Sequence, residues 1–443
     1  MIRDADELGS SPARATALGC VEAGIEAAHP RQVVGDTVQL DGSSLVVGGT
    51  RYDLAGVERV VVLGGGKAAG SVAAALEAVI GERLDGGAVV CPEPVATDRV
   101  EVHLGDHPVP SQRSVDATRR VLELAEAADE STLVLAVVTG GGSALLAAPA
   151  DGVELTALRS VTESLLDSGA TIHEVNAVRK HLSAVKGGGL ARAAAPARVV
   201  GLVFSDVVGD DLDVIASGPT APDPTTYADA VEVLDRYGID PPAAVRRRLE
   251  AGVAGDRPET ADEDDPAFDR VANHVLANGF TALAGARAAA EERGYTACLL
   301  SASVRGEARE AARTMVAVGE EVRATGNPVA APAVVLAGGE CTVTVTGDGT
   351  GGPNQEFALS AGLELDLSDA ALASVDTDGR DGSTDAAGAV VDASTVDDPA
   401  AARAALAEND AGSYLDGRDA LVVTGATGTN VNDLRVLVVE PAG

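Results

Sequence analysis

The chain has 443 residues, 46% of them hydrophobic, which is enough for a large core and excludes a mainly disordered chain. Its 68 acidic and 33 basic residues give a formal net charge of −35, a field that repels nucleic acid and anionic membranes as partners. No apolar run approaches the ~20 residues of a membrane helix, and the acidic start, MIRDADELGS, does not resemble a secretory signal. We therefore expect a cytoplasmic protein.

Only three of the basic residues are lysines, namely Lys67, Lys180 and Lys186. We interpret the acidic, lysine-poor composition as halophilic, so that the charge is a solvated coat and not a ligand signal. Where lysines are so rare, we expect the remaining ones to perform tasks that arginine performs less well, because an ammonium is a compact charge and a guanidinium is a planar fork.

Short valine and leucine runs alternate with alanine-rich segments, which predicts βα units around a largely parallel sheet. In chain order, the predicted elements of the first half are strand 59–63, helix 67–80, strand 87–91, helix 112–128, strand 133–139, helix 154–168, strand 199–205 and helix 227–236. An acidic stretch with two prolines, residues 252–266, then predicts a linker. The strands predicted beyond it are 333–337, 341–346, 372–376, 389–391, 421–424 and 435–440, of which the first two form a hairpin.

The first predicted strand runs into three glycines, Gly64, Gly65 and Gly66, which Lys67 follows. The backbone N–H groups of such a turn and the dipole of the helix after it favour anions. The segment is not a Walker A loop, but it matches a relaxed dinucleotide fingerprint through Gly64, Gly66 and Ala69. The alternative is a tight βα turn with a solvated lysine.

A second strand exit, TGGGSALL, places Gly141, Gly142 and Ser143 at a predicted helix start. This pattern favours a nest for phosphate or carboxylate, and the alternative is a serine that only caps the helix. A serine nucleophile is less favoured, because the G-x-S-x-G motif is absent.

The segment HEVNAVRKHLSAVKGGGLAR contains Asn176, Arg179 and Lys186 beside a glycine run. In a chain this acidic, such a cationic cluster indicates an anion site, and the alternative is a charged helix face. The fourth predicted strand ends before Asp206, and Asp210 follows it. Carboxylates at the carboxyl ends of strands suit Mg²⁺ ligation or proton abstraction.

The second half contains three more polar strand exits, in the segments GGECTVTVTGDGTGGPNQE, DTDGRDGSTDAAGA and TGATGTNVNDL. Their candidate ligand residues are Glu340, Asn354, Glu356, Asp378 and Arg380. Together with the polar exits of the first half, they predict two α/β lobes with a cleft between them that binds polyanions.

The ordered set GGGKAAG, TGGGSALL, NAVRKHLSAVKGGGLA, SDVVGDDLDVIASGPT, GGECTVTV…GGPNQE, DTDGRDGSTDAAGA and TGATGTNVNDL resembles the glycerate 2-kinase family. The resemblance implies a Rossmann-like parallel-sheet glycerate kinase domain over 1–251, the acidic linker 252–266, and a mixed α/β MOFRL-like domain over 267–443. It also implies ATP-dependent phosphorylation of D-glycerate at the 2-hydroxyl, giving 2-phosphoglycerate and ADP.

By this resemblance Lys67 and Arg380 match positions regarded as catalytic, with Asp206 beside them. The implied cofactors are ATP and Mg²⁺, the implied partners are D-glycerate and a nucleotide, and the expected state is a monomer or homodimer. The binding candidates are Gly64, Gly65, Gly66, Gly141, Gly142, Ser143, Asn176, Arg179, Lys186, Glu340, Asn354, Glu356 and Asp378, and the metal candidates are Asp206 and Asp210.

The chain departs from the family pattern where basic residues are common, at Thr350 and Pro353 in GTGGPNQE. Two alternative functions stay open on the sequence. The dinucleotide fingerprint is compatible with an NAD(P)-dependent hydroxypyruvate reductase, which NADH binding would reveal. A non-catalytic sugar-acid-binding protein would bind ligand without turnover.

Overall fold

The computed structural model describes residues 1–441. Its strands, in chain order, are β1 (Val38–Asp41), β2 (Ser44–Val47), β3 (Thr50–Asp53), β4 (Arg59–Gly65), β5 (Gly86–Cys91), β6 (Val100–Leu104), β7 (Thr132–Thr139), β8 (Arg198–Phe204), β9 (Val271–Ala277), β10 (Thr296–Glu307), β11 (Ala333–Thr342), β12 (Ala370–Asp376), β13 (Gly388–Asp392), β14 (Leu421–Val422) and β15 (Asp433–Val439).

The α-helices, in the same order, are α1 (Ala5–Leu8), α2 (Pro12–Ala27), α3 (Pro30–Thr37), α4 (Ala69–Ile80), α5 (Gln112–Glu126), α6 (Gly142–Leu145), α7 (Leu155–Asp167), α8 (Ile172–His181), α9 (Gly189–Ala194), α10 (Tyr227–Arg236), α11 (Ala243–Val253), α12 (Gly279–Glu292), α13 (Ala308–Thr325), α14 (Pro353–Glu364), α15 (Pro399–Ala407) and α16 (Ala411–Asp416). Within the described residues, none of them is long and apolar enough to span a membrane.

The chain forms two compact units, which differ from the predicted domains. The contiguous unit is Val33–Leu276, and the split unit joins Met1–Gln32 to the chain from Ala277 onward. The first residues belong to the split unit because α2 buries Leu18 and Val21 in the hydrophobic core on one face of that unit's sheet. The sequence analysis predicted no element in this segment, and the sheet that α2 covers is formed by strands distant from it in sequence.

The predicted linker, 252–266, lies within the contiguous unit. The Ala261 N–H donates to the carbonyl oxygen of Gly187 at 3.2 Å, and the Arg192 guanidinium donates to the Glu259 carbonyl oxygen at 2.7 Å. The acidic composition of this stretch therefore marks a solvated loop that is tied to its own unit, and the chain passes into the split unit only after β9.

The contiguous unit contains a six-stranded sheet in the order β6-β5-β4-β7-β8-β9 and a small antiparallel sheet of β1, β2 and β3. Strands β4, β5, β6, β7 and β8 pair in parallel, which confirms the predicted parallel sheet. The chain builds outward from β4 on one side and from β7 on the other. The strand order therefore reverses between β4 and β7, and open α/β sheets bind ligands at the carboxyl ends of the strands at such a point.

The split unit contains a mixed sheet in the order β10-β11-β15-β12-β13-β14, as predicted for the second half. Strands β10 and β11 are parallel, and β15 pairs antiparallel with both β11 and β12. Helices α2 and α12 cover one face of the sheet, and α13 and α14 cover the other. This two-sided cover explains the near-continuous apolar runs of its central strands.

The predicted hairpin of strands 333–337 and 341–346 is wrong. One strand, β11, runs through Gly338 and Gly339 to Thr342, and the chain then leaves the sheet. The alternating threonines of this segment resemble a strand, but they are not part of the sheet. The Thr346 N–H donates instead to the Asn409 side-chain oxygen, at 2.7 Å.

Candidate functional site

The glycine turn after β4 is held against the end of β7 by backbone bonds. The Lys67 N–H donates to the Gly140 carbonyl oxygen at 2.7 Å, and the Ala68 N–H donates to Thr139 Oγ1 at 3.2 Å. Helix α4 begins only at Ala69, so Lys67 lies in the turn and not, as predicted, in the first turn of the helix. The turns that follow β4 and β7 are thus hydrogen-bonded to each other at the same edge of the sheet.

Glycine is required in this turn for two reasons, conformation and space. Gly64 and Gly66 have φ values of 144° and 138°. A Cβ atom at Gly64 would overlap the carbonyl oxygen of Val137, and one at Gly66 would overlap Thr139 Oγ1 and the carbonyl oxygen of the same residue. Both overlaps are with strand β7, which explains how the two backbones approach so closely.

We predict that Gly64→Ala lowers the free energy of unfolding by at least ~3 kcal/mol, since overpacking adds to backbone strain. The midpoint of urea unfolding measures this loss. Gly86→Ala is the matched control, because Gly86 has a similar φ of 147° but a Cβ there would lie 3.3 Å from its nearest neighbour, the Arg99 carbonyl oxygen. Equal losses in the two variants would show that strain alone, and not the approach to β7, requires the glycine.

The stem of Lys67 crosses the second glycine turn. A Cβ atom at Gly141, whose φ is 76°, would lie 2.9 Å from Lys67 Cγ and 3.1 Å from His107 Cδ2. Lys67 and His107 therefore converge over Gly141. The histidine follows β6 and was not predicted, because a lone histidine in the segment GDHPVP has no local signature.

A chain of hydrogen bonds links three elements behind this turn. Ser143 Oγ lies 2.8 Å from Ser217 Oγ, which donates to Asn176 Oδ1 at 3.0 Å. Ala216 and Ser217 both have left-handed backbone conformations, with φ of 52° and 61°, which cost non-glycine residues roughly 1–2 kcal/mol each. Asn176 Nδ2 is buried and has no hydrogen-bond partner within the described chain. Strain and an orphaned donor together are typical of a functional site.

Arg179 and Lys186 line a pocket of about 450 Å³ together with Gly141, Ser143 and His107. Lys186 is buried and its Nζ donates to the carbonyl oxygens of Ser143 and Leu146, at 2.8 and 3.0 Å. Burial and the neighbouring Arg179 lower the pKa of Lys186 to about 7. Burial also lowers the pKa of Arg179.

Asp206 follows β8, the strand next to β7. The pairing of Thr139 with Phe204 carries Gly141 and Asp206 to the same edge, two residues further along each strand. Since β4 and β8 flank β7, the exits that carry Lys67 and Asp206 are about 10 Å apart. The structure thus brings both predicted catalytic residues of this unit to one edge of the sheet.

Asp210, the second metal candidate, has a left-handed φ of 58° and lines a separate acidic pocket with Asp213 and Asp223. Both of those carboxylates bind the buried Lys180, at 3.0 and 3.2 Å. These contacts make Lys180 a structural ion-pair partner. Among residues 1–441, no group of three or more His, Cys, Asp or Glu side chains is arranged to hold a metal ion.

In the split unit, Arg380 lies in the loop between β12 and β13, with a side chain 64% exposed. Its backbone N–H donates to Asp378 Oδ1 at 2.8 Å, and its Nη2 lies 3.6 Å from Asp385 Oδ1. The loop is thus ordered by its own aspartates while the guanidinium reaches solvent.

The residue after Arg380 anchors this loop. Asp381 is buried and accepts the backbone N–H groups of Asn354 and Gln355, at 3.0 and 2.8 Å, at the start of α14. Burial raises the pKa of Asp381 to about 7, and the nearby Asp433 adds to that rise. In the sequence, Asp381 is one of several aspartates in the segment DTDGRDGSTDAAGA, and only the fold shows that it is buried.

The remaining predicted residues of the split unit lie in different surroundings. Glu340 is exposed on β11. Asn354 is buried and donates to Asp433 Oδ1 at 2.7 Å, and Glu356 is buried between Arg309 Nη2 at 2.8 Å and Asn409 Nδ2 at 2.7 Å. Asn354 and Glu356 therefore hold the surrounding loops together through their own hydrogen bonds.

Protein-family models match both halves of the chain. The family model described as a domain of unknown function (DUF4147) matches residues 16–250, more than half of the chain, and the MOFRL family model matches residues 333–433.

A D-glycerate 2-kinase of Thermotoga maritima is 40% identical over 429 residues, which cover 94% of this chain and 96% of that protein. A crystal structure of a glycerate kinase from the same organism superposes with a TM-score of 0.82 at 39% identity and covers 96% of this chain and 98% of its own. A protein of Agrobacterium vitis with the provisional name hydroxypyruvate reductase is 42% identical, with 86% of this chain and 87% of its own covered.

Proposed function

Since the chain belongs to the glycerate 2-kinase family, we propose that it transfers the γ-phosphoryl group of ATP to the 2-hydroxyl of D-glycerate. The observation that carries this proposal is the cationic edge at the point where the strand order reverses. There Lys67 crosses Gly141, which also lines the pocket of Arg179 and Lys186, in a chain of net charge −35. Such an edge suits two anionic substrates. We place the reaction in the cytoplasm and expect a monomer or homodimer.

Phosphoryl transfer requires positioning and charge neutralisation more than covalent chemistry. Lys67 and the amides of Gly64–Gly66 are suited to hold the transferring phosphoryl group, since charge develops on its oxygens in the transition state. Asp206 is suited to orient or deprotonate the 2-hydroxyl. The spacing of about 10 Å between their strand exits leaves room for both reacting groups.

A Mg²⁺ ion bound with the nucleotide would supply charge neutralisation for the phosphates. A magnesium ion bound through phosphates needs only one or two protein carboxylates, and Asp206 and Asp210 after β8 are of the right chemistry. The role of Arg380 rests on the family resemblance, and its exposed guanidinium is compatible with contact to a substrate.

We predict a pH dependence of substrate affinity from Lys186. Its folded pKa of about 7 lies below the ordinary 10.5, so the folded protein loses this charge as the pH rises through 7. An anion in the pocket favours the protonated form, and the KM of the substrate bound there should therefore rise above pH 7, by at most tenfold per pH unit. Steady-state kinetics from pH 6 to 9 measure this rise. Lys186→Met should raise that KM and flatten its profile, and a wild-type profile that is already flat would contradict the prediction.

Phosphorus NMR of the protein in molar KCl with D-glycerate, ATP and Mg²⁺ tests the proposed function, with a parallel tube of hydroxypyruvate and NADH. We expect 2-phosphoglycerate and no oxidation of NADH. Formation of 3-phosphoglycerate would support a kinase but contradict transfer to the 2-hydroxyl. Consumption of NADH without a phosphorylated product would favour the reductase.

A further inference from the structure

The pocket beside Gly141 is lined by residues of different chemistry. Arg179 and Lys186 are cationic and Val109, Leu158 and Leu166 are apolar, while Arg159, Glu163 and Asp167 of α7 also line it. Its volume of about 450 Å³ lies within the range of about 300–1,000 Å³ that is typical of sites for drug-sized ligands. A three-carbon acid that is held by Arg179 and Lys186 would fill only part of this volume.

Among the described residues, neither Arg179 nor Lys186 is paired with a carboxylate, although Glu163 and Asp167 also line the pocket. Among the described residues, Arg179 makes no ion pair or side-chain hydrogen bond, although the chain has 68 acidic residues from which a partner could come. One helical turn earlier, the buried Asn176 Nδ2 also lacks a partner. Partly buried cations and buried donors without partners are costly, which indicates that a ligand supplies the missing acceptors.

Two of the apolar lining residues are exposed. Leu166 is 54% exposed and Val109 is 57% exposed, while Leu158 is buried. A ligand that contacts both the cations and these apolar residues therefore carries an anion and an apolar body. A nucleoside phosphate has this form, and the reversal of strand order beside Gly141 is where sheets of this kind bind nucleotides.

We propose that this pocket, and not a subsite for the acid, holds the adenine nucleotide, with phosphate on Arg179 and Lys186 and the base against Leu158 and Leu166. The assignment rests on the proposed kinase function, and it narrows that function by naming which of the two substrates enters here. D-glycerate then binds on the other side of the transferring phosphoryl group, towards Asp206.

The chain has no tryptophan, so a single substitution supplies a unique fluorescent probe. Leu166→Trp places an indole at the mouth of the pocket, and Ser160→Trp places one on the exposed side of the same helix, α7, outside the pocket. We expect ADP with Mg²⁺ to change the emission of L166W in a saturable way, while D-glycerate leaves it unchanged. ADP should leave S160W unchanged.

Calorimetry gives a second readout that does not depend on the probe. Arg179→Gln should weaken ADP binding about tenfold or more and leave the weaker binding of adenosine unchanged, since only the phosphates reach the guanidinium. A response of L166W to D-glycerate but not to ADP would overturn the proposal. So would ADP affinity in Arg179→Gln equal to that of the wild type.

The failure of this assignment is distinguishable from failure of the kinase function. The wild type could form 2-phosphoglycerate and bind ADP while L166W shows no response to ADP. That outcome would contradict only the assignment of the pocket. A wild-type protein that neither binds ADP nor phosphorylates D-glycerate would remove both.

Discussion

Replacement of Lys67 by alanine is expected to lower kcat for glycerate phosphorylation at least ~100-fold, the scale of losing one preorganised electrostatic group. Alanine removes the stem that lies against Gly141, together with the ammonium that is proposed to hold the transferring phosphoryl group. The turn itself is held by backbone bonds such as that from the Lys67 N–H to Gly140, which alanine keeps. We therefore expect an unchanged Tm together with the loss of turnover, measured by coupled assay and thermal unfolding.

Lys180→Met is the contrasting control among the three lysines. Lys180 is buried with Asp223, so its loss leaves a buried carboxylate unpaired, at a cost of about 3–5 kcal/mol. We expect the Tm of this variant to be lower than that of the wild type. Its turnover should fall only by the fraction of the protein that is unfolded. A kcat of Lys67→Ala within about threefold of the wild type would contradict the assigned role.

Arg380→Ala is expected to lower kcat by a similar factor, at least ~100-fold. Arg380→Lys should lower kcat as well if the planar guanidinium binds two oxygens at once, because an ammonium cannot reproduce that geometry. Neither change should lower Tm, since the side chain is 64% exposed and the loop is anchored by the buried Asp381.

Arg313→Ala provides a matched control in the same unit. Its side chain is 53% exposed and pairs with Glu310 on the surface of α13, an interaction of the kind that contributes only about 0–1 kcal/mol. Both kinetic constants of this variant should equal those of the wild type. Loss of turnover in Arg313→Ala equal to that in Arg380→Ala would show that the effect reflects total charge and not a specific residue.

The sequence predicted the strands of the contiguous unit that lead to Lys67, Gly141 and Asp206, because the signals there are local. An apolar run that ends in glycines predicts a strand exit, and parallel strands carry successive exits to one edge. The pattern predicts that Lys67, Gly141 and Asp206 each follow a strand, and β4, β7 and β8 confirm those strands.

Other features depend on partners that are distant in sequence. Nothing near Ser217 shows that its hydroxyl meets Ser143 or that Ala216 takes a left-handed conformation. The placement of α2 in the split unit depends on a sheet formed from Thr296 onward. Alternating threonines after β11 were interpreted as a strand because the pattern does not show that Asn409 takes up the Thr346 backbone N–H.

The split unit also sets an order of events during synthesis. Helix α2 leaves the ribosome early, yet the strands that it covers are made only after the whole of Val33–Leu276. At roughly 5–20 residues per second, its apolar side waits tens of seconds for a partner. The contiguous unit has no such delay, since all of its strands are consecutive. A nascent chain that is halted before β10 should therefore display a protease-resistant contiguous unit and an N-terminal helix that is still open to chaperones.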